Sequence, residues 1–564
     1  MVASASEELI RQIHKLCKHV AGPCEIIAAS LSDDEALEMG HSRATAQVLV
    51  VIKNFQPRLM SYPRIIDGKN IVIIAVDQWV FERDIDRGFL GEALASSLIF
   101  PYSTLVNEDY LHLQETALKK RLILELLENI ILGFPELSYR IRIKPKYFMY
   151  EVMLNRVRVF PPLAYGISHF LCGTTQKEKI SRVLKGYLEA LKQLEKEEVI
   201  RFDDGYVTIS KQFVTESKTP KVRLTNLSKK APRALFSSVF GLFPQFLNFL
   251  LQSTEMLSRF QAFPWKKEFE ERPPFIDPQK YVFVPTAQGF VSLADKVDIR
   301  AYAQKVLSEG TYSRVKVEEF GGVLNDVYLM KAYSGKKEKK ILVKRYKDWS
   351  SFKWFPLTLW STGARSFAVL GTSRLERECA ISELLACEGF NVPKVLHVSH
   401  NERLIFMEFI EGENLSNAIK RIATSQSKNH MEKELATITL VGENYAKVHA
   451  LNVVLGDTKP ENVMVDKEGK IFLVDLEQAS RDGDKAWDVA EFLYFSGHYL
   501  PLDGETKAKA LAQAFIGGYL KAGGNVNDVK KAGIRKYTRV FSIFTLPSIM
   551  RVMSKICKET EKRK

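Results

Sequence analysis

Apolar positions from Glu7 to Val20 recur at helical spacing, which predicts an opening amphipathic helix. The short apolar runs at 24–29, 48–52 and 71–76, CEIIAA, VLVVI and IVIIAV, read instead as buried strands, and Leu113 to Leu132 reads as a long helix. Residues 1–135 therefore form an expected α/β unit. Further on, Val183, Leu184, Tyr187, Leu188, Leu191 and Leu194 step along one helix face, and two β-rich runs follow with Asp204 and Gly205 between them. An Asp-Gly pair between such runs predicts a tight hairpin, because both central residues of that turn need positive φ.

Helix followed by hairpin is similar to the end of a winged-helix domain, expected here over residues 136–212. Many winged helices bind nucleic acid and as many serve as spacers. Glu189, Glu195, Glu197 and Glu198 make this helix acidic, which favours the spacer. Residues 213–305 are rich in Pro and Phe and read as an apolar helical connector, with a boundary at RPPFIDP, 272–278. Within it, the stretch 235–251 (LFSSVFGLFPQFLNFLL) falls short of the roughly 20 residues a spanning helix needs and contains Pro244 and Asn248. Two packed helices split at Pro244 are favoured over a helix in a membrane interface, so peripheral membrane contact through 235–251 stays open without being preferred. From residue 306 to 564 the pattern becomes strands, a hinge and then helices, dividing into 306–407 and 412–564.

A chain of 564 residues exceeds what one core organises, and three or four units are expected. Its composition, 46% hydrophobic and 26% charged, is that of a globular protein without low-complexity tracts. A formal charge of +14 favours anionic partners such as nucleotides, RNA or a lipid surface without choosing between them. Cys17, Cys24, Cys172, Cys379, Cys387 and Cys557 are scattered with no CxxC pair, which argues for reduced thiols. The first residues, MVASASEELIRQIHKL, contain no signal-peptide core, and a cytoplasmic location is expected.

The chemistry concentrates in the stretch 456–479. Asp457 and Asn462 lie five residues apart, so one loop can offer a carboxylate to an attacking group and an amide oxygen to a metal, with Lys459 between them. Hard divalent ions take oxygen ligands and substrate phosphates, and a second carboxylate is available in Asp475 at the end of the run KIFLVD. Upstream, ILVKRY places Lys344 on a strand, and Glu378 sits in the helical run SRLERECAISELL. Before them, Gly321 and Gly322 form part of a glycine-rich turn, and LIFMEFIEG (404–412) is a strand into a polar turn. That turn suits a hinge against which adenine packs through the backbone of Glu408, Phe409 and Ile410.

With these residues in order, positions from about 310 to 500 resemble the protein-kinase-like fold. The resemblance implies that Lys344, paired with Glu378, holds the ATP phosphates. It also implies that Asn462 and Asp475 bind Mg²⁺ or Mn²⁺, that Asp457 is the catalytic base and that Lys459 offsets phosphoryl charge. The departures narrow the family. Leu455 and Gly456 replace the His-Arg that precedes the aspartate in conventional protein kinases, which removes the arginine that senses a phosphorylated activation loop. Asp475 is followed by Leu476 and Glu477, and Asp488 comes only thirteen positions later, leaving no room for a long activation segment. Glu477 reads as a surface or ion-paired residue in preference to a third metal ligand. This shortened form is similar to the atypical RIO kinases, the archaeal-type KEOPS kinase and the aminoglycoside and choline kinases. Lys459 favours a serine/threonine protein acceptor. The alternatives are a small-molecule kinase, and an ATP-gated scaffold for RNA or a protein complex, the latter encouraged by the basic run at 551–564.

Between Lys344 and Glu378, the insertion 348–360 carries three of the six tryptophans and either packs inward or forms a docking surface. In the N-terminal unit, Ala29, Ser30 and Leu31 followed by Thr45 and Gln47 resemble the opening motifs of a minimal nucleotidyltransferase, with Asp77 as a match for its third carboxylate. Thr45 and Gln47 stand where that family has its two aspartates, so the resemblance implies an inactive unit. The expected architecture is thus multidomain α+β, with a nucleotidyltransferase-like α/β unit, a winged-helix-like spacer and a C-terminal bilobal kinase-like fold.

Overall fold

The structure, a computed structural model, describes residues 2–32, 45–56, 58–66, 69–90, 92, 94–159, 176–218, 277–308, 311–321, 325–348, 368, 370–425, 427–542 and 545–561. The apolar stretch 235–251, Gly322, Cys172 and, apart from Asp348, the aromatic insertion 348–360 lie outside the described residues. The chain divides into two units, one of residues 1–135 and 142–282, the other of residues 136–141 and 283–564.

The first unit opens with α1 (Val2–Ala21), β1 (Ile26–Ser32), β2 (Thr45–Ile52), β3 (Leu59–Ile66), β4 (Lys69–Asp77), α2 (Gln78–Arg87), β5 (Tyr102–Val106) and α3 (Glu108–Gly133). The sheet order is β3-β4-β2-β1-β5; β2 and β4 run parallel and the other pairs antiparallel. One face of α1, with Leu9, Ile13 and Cys17, buries against Val48, Val50, Ile52, Ile71 and Ile73. The continuous apolar runs of β2 and β4 fit this, since neither strand is at an edge. The less hydrophobic edge strands β3 and β5 carry no comparable run and were not legible beforehand.

Asp77 corrects one expectation. Thr45 pairs with Asn70 and Gln47 with Val72, whereas Asp77 pairs with Ile52 at the far end of the parallel strands. Seven residues of strand, roughly 23 Å at the usual rise, separate the levels of Thr45 and Asp77. Asp77 instead caps α2, accepting the N–H groups of Trp79 at 3.1 Å and Phe55 at 2.9 Å.

The same unit continues with β6 (Arg142–Ile143), α4 (Lys146–Val159), α5 (Gln176–Lys196), β7 (Ile200–Asp203), β8 (Tyr206–Ile209) and α6 (Lys211–Ser217). β7 and β8 form the hairpin that Asp204 and Gly205 predict, with φ of 48° and 75° at the turn, and β6 pairs with β8. Glu189 of α5 and Glu197 just after it are answered by α3: His112 Nε2 lies 2.6 Å from Glu189, and Lys120 Nζ 2.5 Å from Glu197.

The second unit begins with β9 (Val282–Thr286), β10 (Gly289–Ser292) and α7 (Ile299–Ser308), then β11 (Arg314–Gly321), β12 (Asn325–Ser334), β13 (Lys337–Tyr346), α8 (Gly371–Cys387), β14 (Val395–Ser399) and β15 (Leu404–Glu408). Five antiparallel strands in the order β11-β12-β13-β15-β14 make its sheet. The 305/306 boundary drawn from the sequence falls inside α7. Tyr302 and Val306 of that helix are buried with Met330, Ile341 and Phe406 of the sheet, the Tyr302 and Phe406 rings stacking at 4.1 Å.

After the turn at 409–411 come β16 (Gly412–Asn414), α9 (Leu415–Thr424), α10 (Lys428–Ala450), β17 (Val453–Val454), β18 (Val463–Asp466), β19 (Ile471–Leu473) and β20 (Ser480–Arg481). The helices α11 (Lys485–His498), α12 (Glu505–Lys521), α13 (Val526–Ala532), α14 (Arg535–Phe541) and α15 (Pro547–Glu559) complete the unit. Their shared core includes Tyr445, Trp487, Phe492, Phe515, Tyr519 and Phe541. Ile549, Met550, Met553 and Cys557 of α15 belong to it, while Arg551, Lys555 and Lys558 are exposed, so the basic terminal run is the outer face of a packed helix. Among the described residues no helix is long and apolar enough to cross a membrane.

Candidate active site

Lys344 is the centre of the site. It enters from β13, and its ammonium meets Glu378 of α8 at 2.9 and 3.1 Å and Asp475 Oδ1 at 2.8 Å. The Lys344 side chain is 9% exposed and that of Glu378 2%, so this is a desolvated pair, while Asp475 at 37% reaches outward. Burial pulls the Lys344 ammonium down, but Asp475, Glu378 and Glu477 outweigh it and leave it above the usual lysine range. Burial raises the Asp475 carboxyl, yet Lys344, Lys459 and Arg374 prevail and hold it below its ordinary value. Asp475 has φ 59° and ψ 59°, a left-handed conformation that Asp tolerates better than most residues.

A second layer fixes these charges. The Tyr346 hydroxyl donates to Glu378 Oε2 at 2.5 Å. Arg374, one turn before Glu378 on α8, lies 3.1 Å from Glu477 and 2.8 Å from the Asn325 side-chain oxygen, and the Asn325 amide donates to Glu477 at 2.6 Å. Glu477 is therefore ion-paired, one of the two roles expected of it, and its burial corrects the other, that of a surface residue. Gln478 exchanges two hydrogen bonds with the backbone of Ala368, at 2.9 and 3.2 Å.

The loop after β17 presents Asp457, Lys459 and Asn462. Lys459 lies 2.9 Å from Asp457 Oδ1, and the Asn462 amide donates to the Asp457 carbonyl at 2.9 Å. Burial lowers the Lys459 ammonium, but Asp457 and Glu491 more than reverse that. The Asn462 carbonyl accepts the N–H of Val474 at 3.0 Å, which joins this loop to the residue before Asp475. The loop is suspended from α11. Asp488 accepts the N–H of Leu455 at 2.6 Å and of Gly456 at 2.8 Å, and its carboxylate is 3.0 Å from His449 Nε2. Glu491, one turn further on, accepts the N–H of Thr458 at 2.8 Å. Gly456 has φ 78°, which accounts for glycine before the aspartate.

Of the remaining predicted residues, Gly321 ends β11 with φ 108°, and Gly322 lies outside the described residues. Glu408 ends β15, with its N–H on the Lys394 carbonyl at 2.9 Å. Phe409 meets Phe320 edge to face at 5.7 Å, and Ile410 follows in the turn, half-buried. The structure thus brings Lys344, Glu378 and Asp475 together, and separately Asp457, Lys459 and Asn462. Sequence reasoning missed Tyr346, Arg374, Asn325, His449 and Glu491. Only Asp488 and Glu491 left a usable signal, two acids at i, i+3 on an otherwise apolar helix.

The donor set suits a hard divalent cation. Glu378, Asp475 and Glu477 hold carboxylate oxygens within 4.8 Å of one another; Lys344 pairs with both Glu378 and Asp475, Tyr346 also donates to Glu378, and Arg374 pairs with Glu477, to which Asn325 donates. Of the three carboxylates Asp475 is the most exposed.

Residues 329–491 match the family model of the RIO domain. The C-terminal region carries a RIO domain. All six residues from Lys344 to Asp475 fall inside it, on an atypical protein-kinase-like fold. The KEOPS complex subunit Bud32 of Pyrococcus abyssi (strain GE5 / Orsay) is 33% identical over 113 residues, which are 20% of this chain and 48% of that protein. The dual specificity protein kinase zakA of Dictyostelium discoideum is 27% identical over 101 residues, 18% of this chain and 13% of that protein. The chain thus spans less than half the length of either relative. The matched residues begin within β12 and end within α11.

Proposed function

We propose that the RIO domain is an ATP-dependent phosphotransferase that passes the γ-phosphoryl group to a hydroxyl, with serine or threonine of a protein as acceptor. The observation that carries this reading is Lys344, held between Glu378 and Asp475 within 3.1 Å of each. A lysine so fixed binds phosphate oxygens, and the adjoining Asp475 and Asn462 would hold Mg²⁺ or Mn²⁺. Such an ion offsets charge on the phosphates. Asp457 orients the acceptor hydroxyl and takes its proton, while Lys459, paired with it at 2.9 Å, offsets charge on the phosphoryl group in flight. Backbone of Glu408, Phe409 and Ile410 meets adenine, beside Phe320.

Lys459 favours a protein acceptor. The brief path from Asp475 to Asp488, which holds one helical turn and β20 before α11 begins, favours instead a small-molecule hydroxyl as the second reading. Purified protein incubated with labelled ATP and Mg²⁺ or Mn²⁺, with and without cell extract, separates them by what becomes labelled. Asp457→Ala should lower transfer by several orders of magnitude while nucleotide binding persists. Full transfer in that variant overturns the reading.

We read the N-terminal unit as nucleotidyltransferase-like in descent and without that chemistry. Support comes from Thr45 and Gln47 at the strand positions where that family has carboxylates, and from Asp77 at the opposite end of β4. The winged-helix-like part serves as a spacer, and the further partner is RNA or a protein complex; the basic face of α15 is the solvated side of a core helix.

A further inference from the structure

Residues 136–141 pack with the RIO domain although the chain on both sides of them belongs to the N-terminal unit. They make one tight helical turn, Leu137–Tyr139, with Leu137, Ser138 and Ile141 buried. Two groups hold it. On α8, Glu376 Oε1 accepts the N–H of Leu137 at 2.6 Å and also that of Glu136. Beyond Asp475, Arg481 of β20 lies 2.6 Å from Glu136 Oε2, and its guanidinium stacks on the Tyr139 ring at 4.2 Å. Arg481 is 13% exposed and Glu136 8%, so the pair is largely withdrawn from water.

The geometry of α8 gives these contacts their meaning. At 3.6 residues per turn, side chains two apart point roughly 200° from each other around a helix. Glu378 faces Lys344, so Glu376 faces the opposite way, and both are buried. The helix is therefore gripped on two faces, by the site lysine on one and by the 136–141 turn on the other. The turn is also tied to the strand that follows Asp475. It thus links the helix that carries Glu378 to β20, which begins five residues after Asp475, and Lys344 sits between those two carboxylates.

We propose that the segment 136–141 is a built-in positioning element that clamps α8 to the segment after Asp475, with Glu376, Glu136 and Arg481 as its positioning residues. In this chain Leu455 and Gly456 stand before Asp457, where conventional protein kinases have the His-Arg that reads a phosphorylated loop, and Asp488 follows Asp475 after only thirteen positions. The clamp sets α8 through a turn of the protein's own chain.

The catalytic half of the test rests on the phosphotransferase reading; the structural half does not. In the full chain, Arg481→Ala and Glu136→Ala should each speed amide hydrogen exchange across Gly371–Cys387 by about tenfold or more, with α10 and α12 unchanged. Transfer from labelled ATP should fall about tenfold, with a rise in the KM for ATP because Lys344 loses its fixed partner. Glu376→Gln keeps an acceptor oxygen and should retain both properties, whereas Glu376→Leu should lose them; where the leucine variant fails to fold, Arg481→Ala decides. Unaltered exchange of α8 in both Arg481→Ala and Glu136→Ala overturns the clamp. A wild-type chain that transfers no phosphoryl group overturns the phosphotransferase reading, and the exchange result still decides the clamp.

Discussion

Asp488 and Gly456 are joined by a 2.8 Å hydrogen bond in which the glycine N–H donates to the helix carboxylate. The same carboxylate holds Leu455 N–H and lies against His449, so one buried acid sets where the loop of Asp457 begins. Asp488→Ala leaves these donors unanswered in the core, at about 1–3 kcal/mol for each group stranded. Its thermal midpoint should drop and transfer should fall more than nucleotide affinity. Unchanged stability by calorimetry would show that the loop does not hang from α11.

Lys344 and Glu378 should behave as one unit. Lys344→Ala strands a buried carboxylate, and nucleotide affinity should fall at least about tenfold in isothermal titration. With the partner already gone, Glu378→Ala should cost much less, a coupling of about 1–3 kcal/mol in a double-mutant cycle. Additive losses would mean that the 2.9 Å contact has no consequence for binding.

Asp475→Asn should weaken nucleotide binding in the presence of Mg²⁺ or Mn²⁺ far more than in EDTA, because the amide removes the negative charge of the most exposed carboxylate in the cluster, the one proposed to meet the metal. A metal titration followed by nucleotide fluorescence reads this. Identical metal dependence in wild type and variant would remove Asp475 from the site.

Stability should decline as pH rises from about 4.5 to 7. Burial pushes the Glu376 carboxyl from the ordinary 4.5 up to about 7, against the Leu137 N–H, with the Glu136 carboxylate adding to the rise, the Glu136 N–H opposing it and Arg377 opposing it through charge. Within that window the folded state holds a proton that the unfolded chain has released, so the slope of unfolding free energy with pH is negative, worth about 3 kcal/mol in total. Glu477, raised by burial and the Asp475 carboxylate to about 7 against Arg374 and Lys344, acts in the same direction. Glu376→Gln should remove its own share, roughly half of the decline in urea titrations. An unchanged slope would show that Glu376 does not titrate there.

Gly442 and Gly518 should not tolerate a methyl group. A Cβ on Gly442 of α10 would strike the Phe515 carbonyl of α12, and one on Gly518 would strike the Thr439 carbonyl, backbone that cannot swing aside. Either alanine variant should lower stability by about 1–3 kcal/mol despite alanine's better helix propensity. A rise in the thermal midpoint would mean that the helices separate at little cost.

What the sequence determined by itself was whatever depends on short-range pattern. β2 and β4 read as buried strands because both faces are covered; the hairpin at Asp204 and Gly205 read as such because only certain residues take positive φ. The order Lys344, Glu378, Asp457, Lys459, Asn462, Asp475 was legible because each role proposed for them requires one residue type on one kind of element. Tertiary structure alone decided which distant groups meet. Nothing local ties Asn325 to Glu477, His449 to Asp488 or Glu376 to Leu137, separated by 152, 39 and 239 positions. Asp77 shows the same divide from the other side: its place on β4 was readable, but the parallel pairing that carries it to the far end of the sheet was not. Burial is the physical reason. A carboxylate acquires its partners, and the proton affinity that follows from them, only when the fold removes water from around it.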